Sequence, residues 1–273
     1  FCISIVPASA EDAMFRANPE HTGVYDNGGS EPGNAELWRF ATGGIVYSSP
    51  SVADSIVYVG SEDKNLYAID AVTGDEKWRF AMRGRVESSP AVVNGIVYAG
   101  NSHDSLYDLN SANGSLHAID AATGKEKWQF ITGDHVDRSP AVANGIVYIG
   151  SGDENLYAID AATGKEQWRT TKGDWVYSAP AVANGIVYVG SEDKRLYAID
   201  AVTGKEKWRF ATGDWVDSSP AVANGIVYVG SNDKNLYAIG ANSVSLTTVP
   251  TTIPSTHSTL PGTTSQQTIA STP

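Results

Sequence analysis

Chemistry in this chain would have to come from side chains that escape its internal repetition, and they fall in one short loop per repeat. Those loops read Ile45-Val46-Tyr47, Arg85-Val86-Glu87, His135-Val136-Asp137, Trp175-Val176-Tyr177 and Trp215-Val216-Asp217. The central valine is constant, while Tyr47, Arg85, Glu87, His135, Asp137, Arg138, Trp175, Tyr177, Trp215 and Asp217 vary in charge and size. Such a mixture of aromatic and charged groups suits recognition of a partner. The other reading of the same residues is loop positions drifting without a role.

Bond-making chemistry finds little support. No Ser stands in a Gly-x-Ser-x-Gly elbow, and the five histidines are scattered without metal-site spacing. The turn Ser61-Glu62-Asp63-Lys64-Asn65 lacks the twelve-residue ligand pattern and closing Glu of a calcium loop, so it reads as a hairpin turn. Asp and Glu recur in so many turns that no pair stands out as acid and base. The expectation is a chain with no cofactor, no metal and no catalysis.

The elements that position those loops follow from a period near forty. Trp38, Trp78, Trp128, Trp168 and Trp208 fall forty apart, except for one interval of fifty. Within the unit 171–210, Ser178-Ala179-Pro180-Ala181-Val182 leads through the hairpin signal Asn184-Gly185 into the apolar strand 185–190. A polar turn, the strand Leu196-Tyr197-Ala198-Ile199-Asp200, a Thr203-Gly204 turn and a strand carrying Trp208 complete it. Four antiparallel strands per unit without helical periodicity predict an all-β propeller. The five tryptophans are expected to be core residues.

Five such units begin at Ser48, Ser88, Arg138, Ser178 and Ser218, but no tryptophan strand follows the fifth. Glu36-Leu37-Trp38-Arg39-Phe40 is the spare fourth strand. The expectation is therefore five four-stranded blades over 36–240, closed by that N-terminal strand, which would remove exposed edges. The second unit carries ten extra residues between Gly100 and Leu116, including Asn113-Gly114-Ser115, the chain's one N-glycosylation pattern. This insertion reads equally as a binding loop or as a slippage duplication.

The flanks differ in composition. Residues 1–10 read as the end of a signal peptide with an Ala8-Ser9-Ala10 cleavage site, which places Cys2, the only cysteine, in the leader. Residues 11–35 form a lead-in segment, and the Thr/Ser/Pro-rich stretch 241–273 reads as a disordered stalk. The net charge of −12 comes without any basic cluster, which argues against nucleic acid. No eighteen-residue apolar run spans a membrane.

The stretches 68–78 and 198–208, with their Ala-Ile-Asp-Ala-Val-Thr-Gly core and terminal Trp, resemble the tryptophan-docking motif of pyrroloquinoline-quinone-like β-propeller repeats. The resemblance implies that Trp38, Trp78, Trp128, Trp168 and Trp208 staple adjacent blades, and Met14 to Gly23 is similar to the lead-in of secreted members. Quinone-dependent dehydrogenases of that family typically have eight blades, a vicinal cysteine pair, and a calcium site with a catalytic Asp, to which this sequence offers no counterpart. Non-enzymatic relatives, an outer-membrane assembly lipoprotein among them, use such repeats as docking scaffolds. The resemblance implies a secreted or surface-displayed, monomeric scaffold for a protein or glycan partner. The alternative is a quinone-dependent or sugar-handling enzyme with its site at the channel mouth.

Overall fold

Two left-handed residues in succession turn each blade's first strand back on itself. In the computed structural model, which describes residues 34–102 and 114–240, Asn94 and Gly95 sit at φ 49° and 71°, Asn144 and Gly145 at 51° and 74°. This conformation twists with the flanking strands, and Asn followed by Gly adopts it most readily. The first repeat makes the same turn with Asp54 at φ 49° and Ser55 at φ 61°, without glycine.

Five antiparallel sheets result. The first comprises β1 (Ser51–Ala53), β2 (Ile56–Gly60), β3 (Asn65–Asp70) and β4 (Glu76–Ala81). The second comprises β5 (Ala91–Val93), β6 (Ile96–Asn101), β7 (Ser115–Asp120) and β8 (Glu126–Ile131). Next come β9 (Ala141–Ala143), β10 (Ile146–Gly150), β11 (Asn155–Asp160) and β12 (Glu166–Thr171), then β13 (Ala181–Ala183), β14 (Ile186–Ser191), β15 (Arg195–Asp200) and β16 (Glu206–Ala211). The fifth sheet has three strands, β17 (Ala221–Ala223), β18 (Ile226–Gly230) and β19 (Leu236–Ile239). The described residues contain no helix, so the fold is all-β and propeller-like.

Strand order within each sheet is sequential, and successive first strands adjoin, β1 with β5, β5 with β9, β9 with β13 and β13 with β17. Each four-stranded sheet has a register shift between its third and fourth strands, as at Ala158/Ile159, which adds local twist. The core lies between sheets. Tyr148, Leu156 and Ala158 of the third sheet pack on Val187, Val189 and Tyr197 of the fourth. Middle strands buried on both faces explain why Ile-Val-Tyr-Val runs are apolar without alternation.

The tryptophans sit at the margin of the core, each half-buried and packed against a core cluster. Trp78, Trp128, Trp168 and Trp208 lie on the outermost strands of their blades, where burial alternates. Trp78 Nε1 donates to the Ala121 carbonyl of the next sheet at 2.9 Å, Trp128 to Ala161 at 3.0 Å and Trp168 to Ala201 at 3.1 Å. The indole of Trp128 rests on Gly164, which is in the left-handed region at φ 71°. A Cβ there would fall 2.8 Å from Trp128 Cγ, so glycine serves both the turn and the contact.

Ring closure differs from expectation. Trp38 makes the equivalent bond to Ala71 at 3.0 Å and Phe40 packs edge-on to Tyr67 at 5.2 Å, yet Glu36–Phe40 is not a strand and β19 pairs only with β18. The segment thus stands where the outer strand of a sheet preceding the first would stand. Both ends of the array are correspondingly uncovered. Val46 is 47% exposed, whereas Val86, Val136, Val176 and Val216 are at most 2% exposed.

The predicted leader 1–10, nearly all of the lead-in 11–35, Asn113 with most of the insertion, and the predicted stalk 241–273 lie outside the described residues.

Candidate recognition face

The constant valines are held by backbone as well as by burial. Val86 N donates to the Ser61 carbonyl of the preceding sheet at 3.1 Å, and Val176 and Val216 bond Ser151 and Ser191 in the same way. Each of these valines seats on the glycine that ends the preceding second strand, at Gly60, Gly100, Gly150 or Gly190. Fixing the valine turns its two neighbours outward. The turns between second and third strands share this face, because Glu62, Gly152, Glu192 and Asn232 donate their N–H groups to the carbonyls of Ile45, His135, Trp175 and Trp215 at 2.8–3.1 Å.

Five of the ten rim residues singled out in the sequence meet in one cluster. The Tyr177 hydroxyl donates to Asp137 Oδ2 at 2.8 Å and lies 2.7 Å from His135 Nε2. His135 Nδ1 lies 2.6 Å from Asp134 Oδ1. The His135 ring meets Trp175 edge-on, with centroids 5.5 Å apart and planes at 84°, and Arg138 lies over the Tyr177 ring at 4.9 Å. Arg85 pairs with Glu62 at 3.0 Å and Glu87 at 3.9 Å, and Asp217 accepts from Asn232 at 2.8 Å. Tyr47 and Trp215 are exposed, and Trp175 keeps 41% of its surface in solvent.

The electrostatics of this face are acidic and crowded. Burial, then the charges of Asp137 and Glu62, pushes the Glu87 carboxyl upward, and burial with Asp217 and Asp174 does the same to Glu192. Burial beside Asp137 raises the Tyr177 phenol far above the ordinary tyrosine range. Tyr177 therefore stays a protonated phenol at neutral pH. One oxygen each of Asp137 and Asp217 is buried without a hydrogen-bond partner. Carboxylates whose charge is poorly compensated would gain from a cationic partner group.

Asp134 and Glu192 also shape the face and were not singled out in the sequence, whereas the Glu62-Asp63-Lys64 turn was placed there. The recurring Gly133-Asp134, Gly173-Asp174 and Gly213-Asp214 pairs were the available signal. The opposite face carries the hairpin turns and the Thr-Gly-Lys turns. A cleft of about 540 Å³ lies there between the second and third sheets, lined by Val93, Tyr98, Val142, Ile146 and Asp160. Asp160 is already engaged in capping the Thr163 amide at 2.8 Å. The described residues contain no group of three or more metal-ligating side chains, and no helix long and apolar enough to cross a membrane.

Solved structures similar to this chain share its fold. BamB from Moraxella catarrhalis aligns with a TM-score of 0.62 at 21% identity, over 75% of this chain and 61% of that one. The computationally designed Ika8 protein aligns at 0.61 and 20% identity, over 70% and 57%. Quinohemoprotein alcohol dehydrogenase ADHIIG from Pseudomonas putida HK5 aligns at 0.57 and 22% identity, over 75% and 43%. The chain thus spans about six tenths of the BamB structure and less of the dehydrogenase. No curated protein matches it. A family model described as outer membrane protein assembly factor BamB matches residues 28–117 and 112–246, and this chain belongs to that family.

Proposed function

We propose that the chain is a non-catalytic docking propeller of the cell envelope, which binds a protein partner through the face formed by its leading loops. The single observation that carries this reading is the concentration of variation there. Blade interiors repeat nearly residue for residue, whereas the neighbours of Val86, Val136, Val176 and Val216 change, and those of Val136 and Val176 meet with Arg138 in one cluster. Half-exposed indoles beside imperfectly paired carboxylates match the anchors that dominate protein interfaces. The acidic excess favours a partner segment bearing Lys or Arg. Membership of a family described as an assembly factor supports scaffolding over catalysis. Export by the N-terminal leader and display on the Thr/Ser/Pro-rich stalk belong to the same reading, and a glycan is the alternative ligand class.

A photo-reactive amino acid placed at Tyr47 on the rim and, separately, at Lys165 on the opposite face tests this directly. Adducts to a protein other than a second copy of this chain should form in intact envelopes from position 47 and be absent from position 165. Adducts from position 165 alone, or saturable capture of a free glycan in place of protein, would refute the protein-docking assignment.

A further inference from the structure

We propose that this chain associates head to tail, with Glu36–Phe40 of one copy adding as the fourth strand to β19 of a second copy. The two surfaces are unfinished halves of one recurring joint. In the four complete sheets, the Leu-Tyr-Ala-Ile or Leu-His-Ala-Ile strand pairs with a Glu-x-Trp-x-Phe or closely related strand, and its leucine and alanine are fully buried, as at Leu66, Ala68, Leu196 and Ala198. Among the described residues, β19 repeats Leu236-Tyr237-Ala238-Ile239 with no fourth strand, and Leu236 is 77% exposed. Glu36-Leu37-Trp38-Arg39-Phe40 differs from Glu76-Lys77-Trp78-Arg79-Phe80 only in its second residue, and it pairs with no described strand.

The sheet faces beside these strands match as well. Val46 lacks the glycine seat that its four counterparts occupy, while at Gly230, the fifth such glycine, a Cβ would meet only Ser218. Trp38 and Phe40 already hold the docking register against Ala71 and Tyr67 of their own first sheet. A second copy bringing its β19 alongside would therefore find the added strand in place and would cover Val46 with Gly230. The register follows from Leu66↔Phe80 and Tyr67↔Arg79, so Leu236 should face Phe40 and Tyr237 should face Arg39. The contact uses different surfaces on the two copies, so it propagates until a ring closes or the chain of copies ends. An exposed edge with unpaired backbone groups supplies the driving force, together with the apolar faces it covers.

The test mixes two single-cysteine proteins in a Cys2→Ser background, one carrying Phe40→Cys and the other Leu236→Cys, under mild oxidation. A 40–236 disulfide-linked heterodimer should form in the mixture and exceed any dimer from either protein alone. Sedimentation of the unsubstituted chain should show apparent mass rising with concentration from one copy to at least two, and Leu236→Lys should abolish that rise. An intramolecular disulfide as the only product of a third protein carrying both Phe40→Cys and Leu236→Cys would mean closure in cis and overturn the proposal. So would an unsubstituted chain that sediments as one copy at every concentration, whatever the cysteine variants do.

Discussion

Replacing Trp128 by alanine should destabilise the propeller by about 3.5 kcal/mol. The indole is half-buried against Gly164 and lies 5.8 Å from the Tyr98 ring. Burying roughly half of an aromatic side chain's 150–250 Å² removes about 100 Å² from water, or about 2.5 kcal/mol at 25 cal/mol/Å². Losing the 3.0 Å bond to Ala161 adds about 1 kcal/mol. The Ala161 carbonyl is not orphaned, because the Tyr98 hydroxyl still donates to it at 3.0 Å, so no further desolvation penalty is due. Trp128→Phe retains most of the buried area and loses the bond, so about 1–1.5 kcal/mol is expected. Urea unfolding followed by far-ultraviolet circular dichroism separates the two. A loss below about 1 kcal/mol for alanine, or equal losses for alanine and phenylalanine, would refute the staple account.

His117 replaces the tyrosine found at this position in the other sheets, and burial holds its imidazole below the usual histidine range despite a 2.7 Å contact with Glu126. The unfolded chain then binds the proton more readily, so stability should be full above about pH 6.5 and fall as pH drops through the folded value. His117→Gln should flatten that part of the pH–stability curve, and an unchanged slope would assign the dependence elsewhere. Gly190→Ala would place a Cβ 2.5 Å from Val216 Cγ1, so it should displace the leading loop, alter Trp215 fluorescence and lower stability by about 1–3 kcal/mol; a native spectrum and midpoint would contradict the seat. Asn184, at φ 52°, should lose about 1–2 kcal/mol on replacement by alanine. Denaturant midpoints would expose a smaller effect.

The blade was legible in the sequence because its signals are local. Asn-Gly turns, apolar runs and evenly spaced tryptophans each act within a few residues. Assignment of Glu36–Phe40 was not legible, because near-identical strands make pairing degenerate: any Leu-Tyr-Ala-Ile edge would accept that segment equally well. That the tryptophans pack at the core's margin was not legible from residue type alone for a related reason, since hydrophobic size does not distinguish an interior strand from the outer strand that laps its neighbour. At the rim, comparison among repeats isolated His135, Trp175 and Tyr177 but did not extend to Asp134 and Glu192, whose positions also vary. Only geometry shows that Asp134 engages His135.

The central claim is that the leading-loop face does the binding, and the combined change Trp175→Ala and Trp215→Ala tests it most directly. Both indoles lie outside the stapling register and are more than two-fifths exposed, so the unfolding midpoint should stay near that of the parent chain. The matched change Lys125→Ala and Lys165→Ala alters exposed residues on the opposite face. With partner adducts from position 47 as the readout, the tryptophan pair should lose the adduct and the lysine pair should retain it. Retention by both proteins, or loss from both, would contradict the assignment of function to this face.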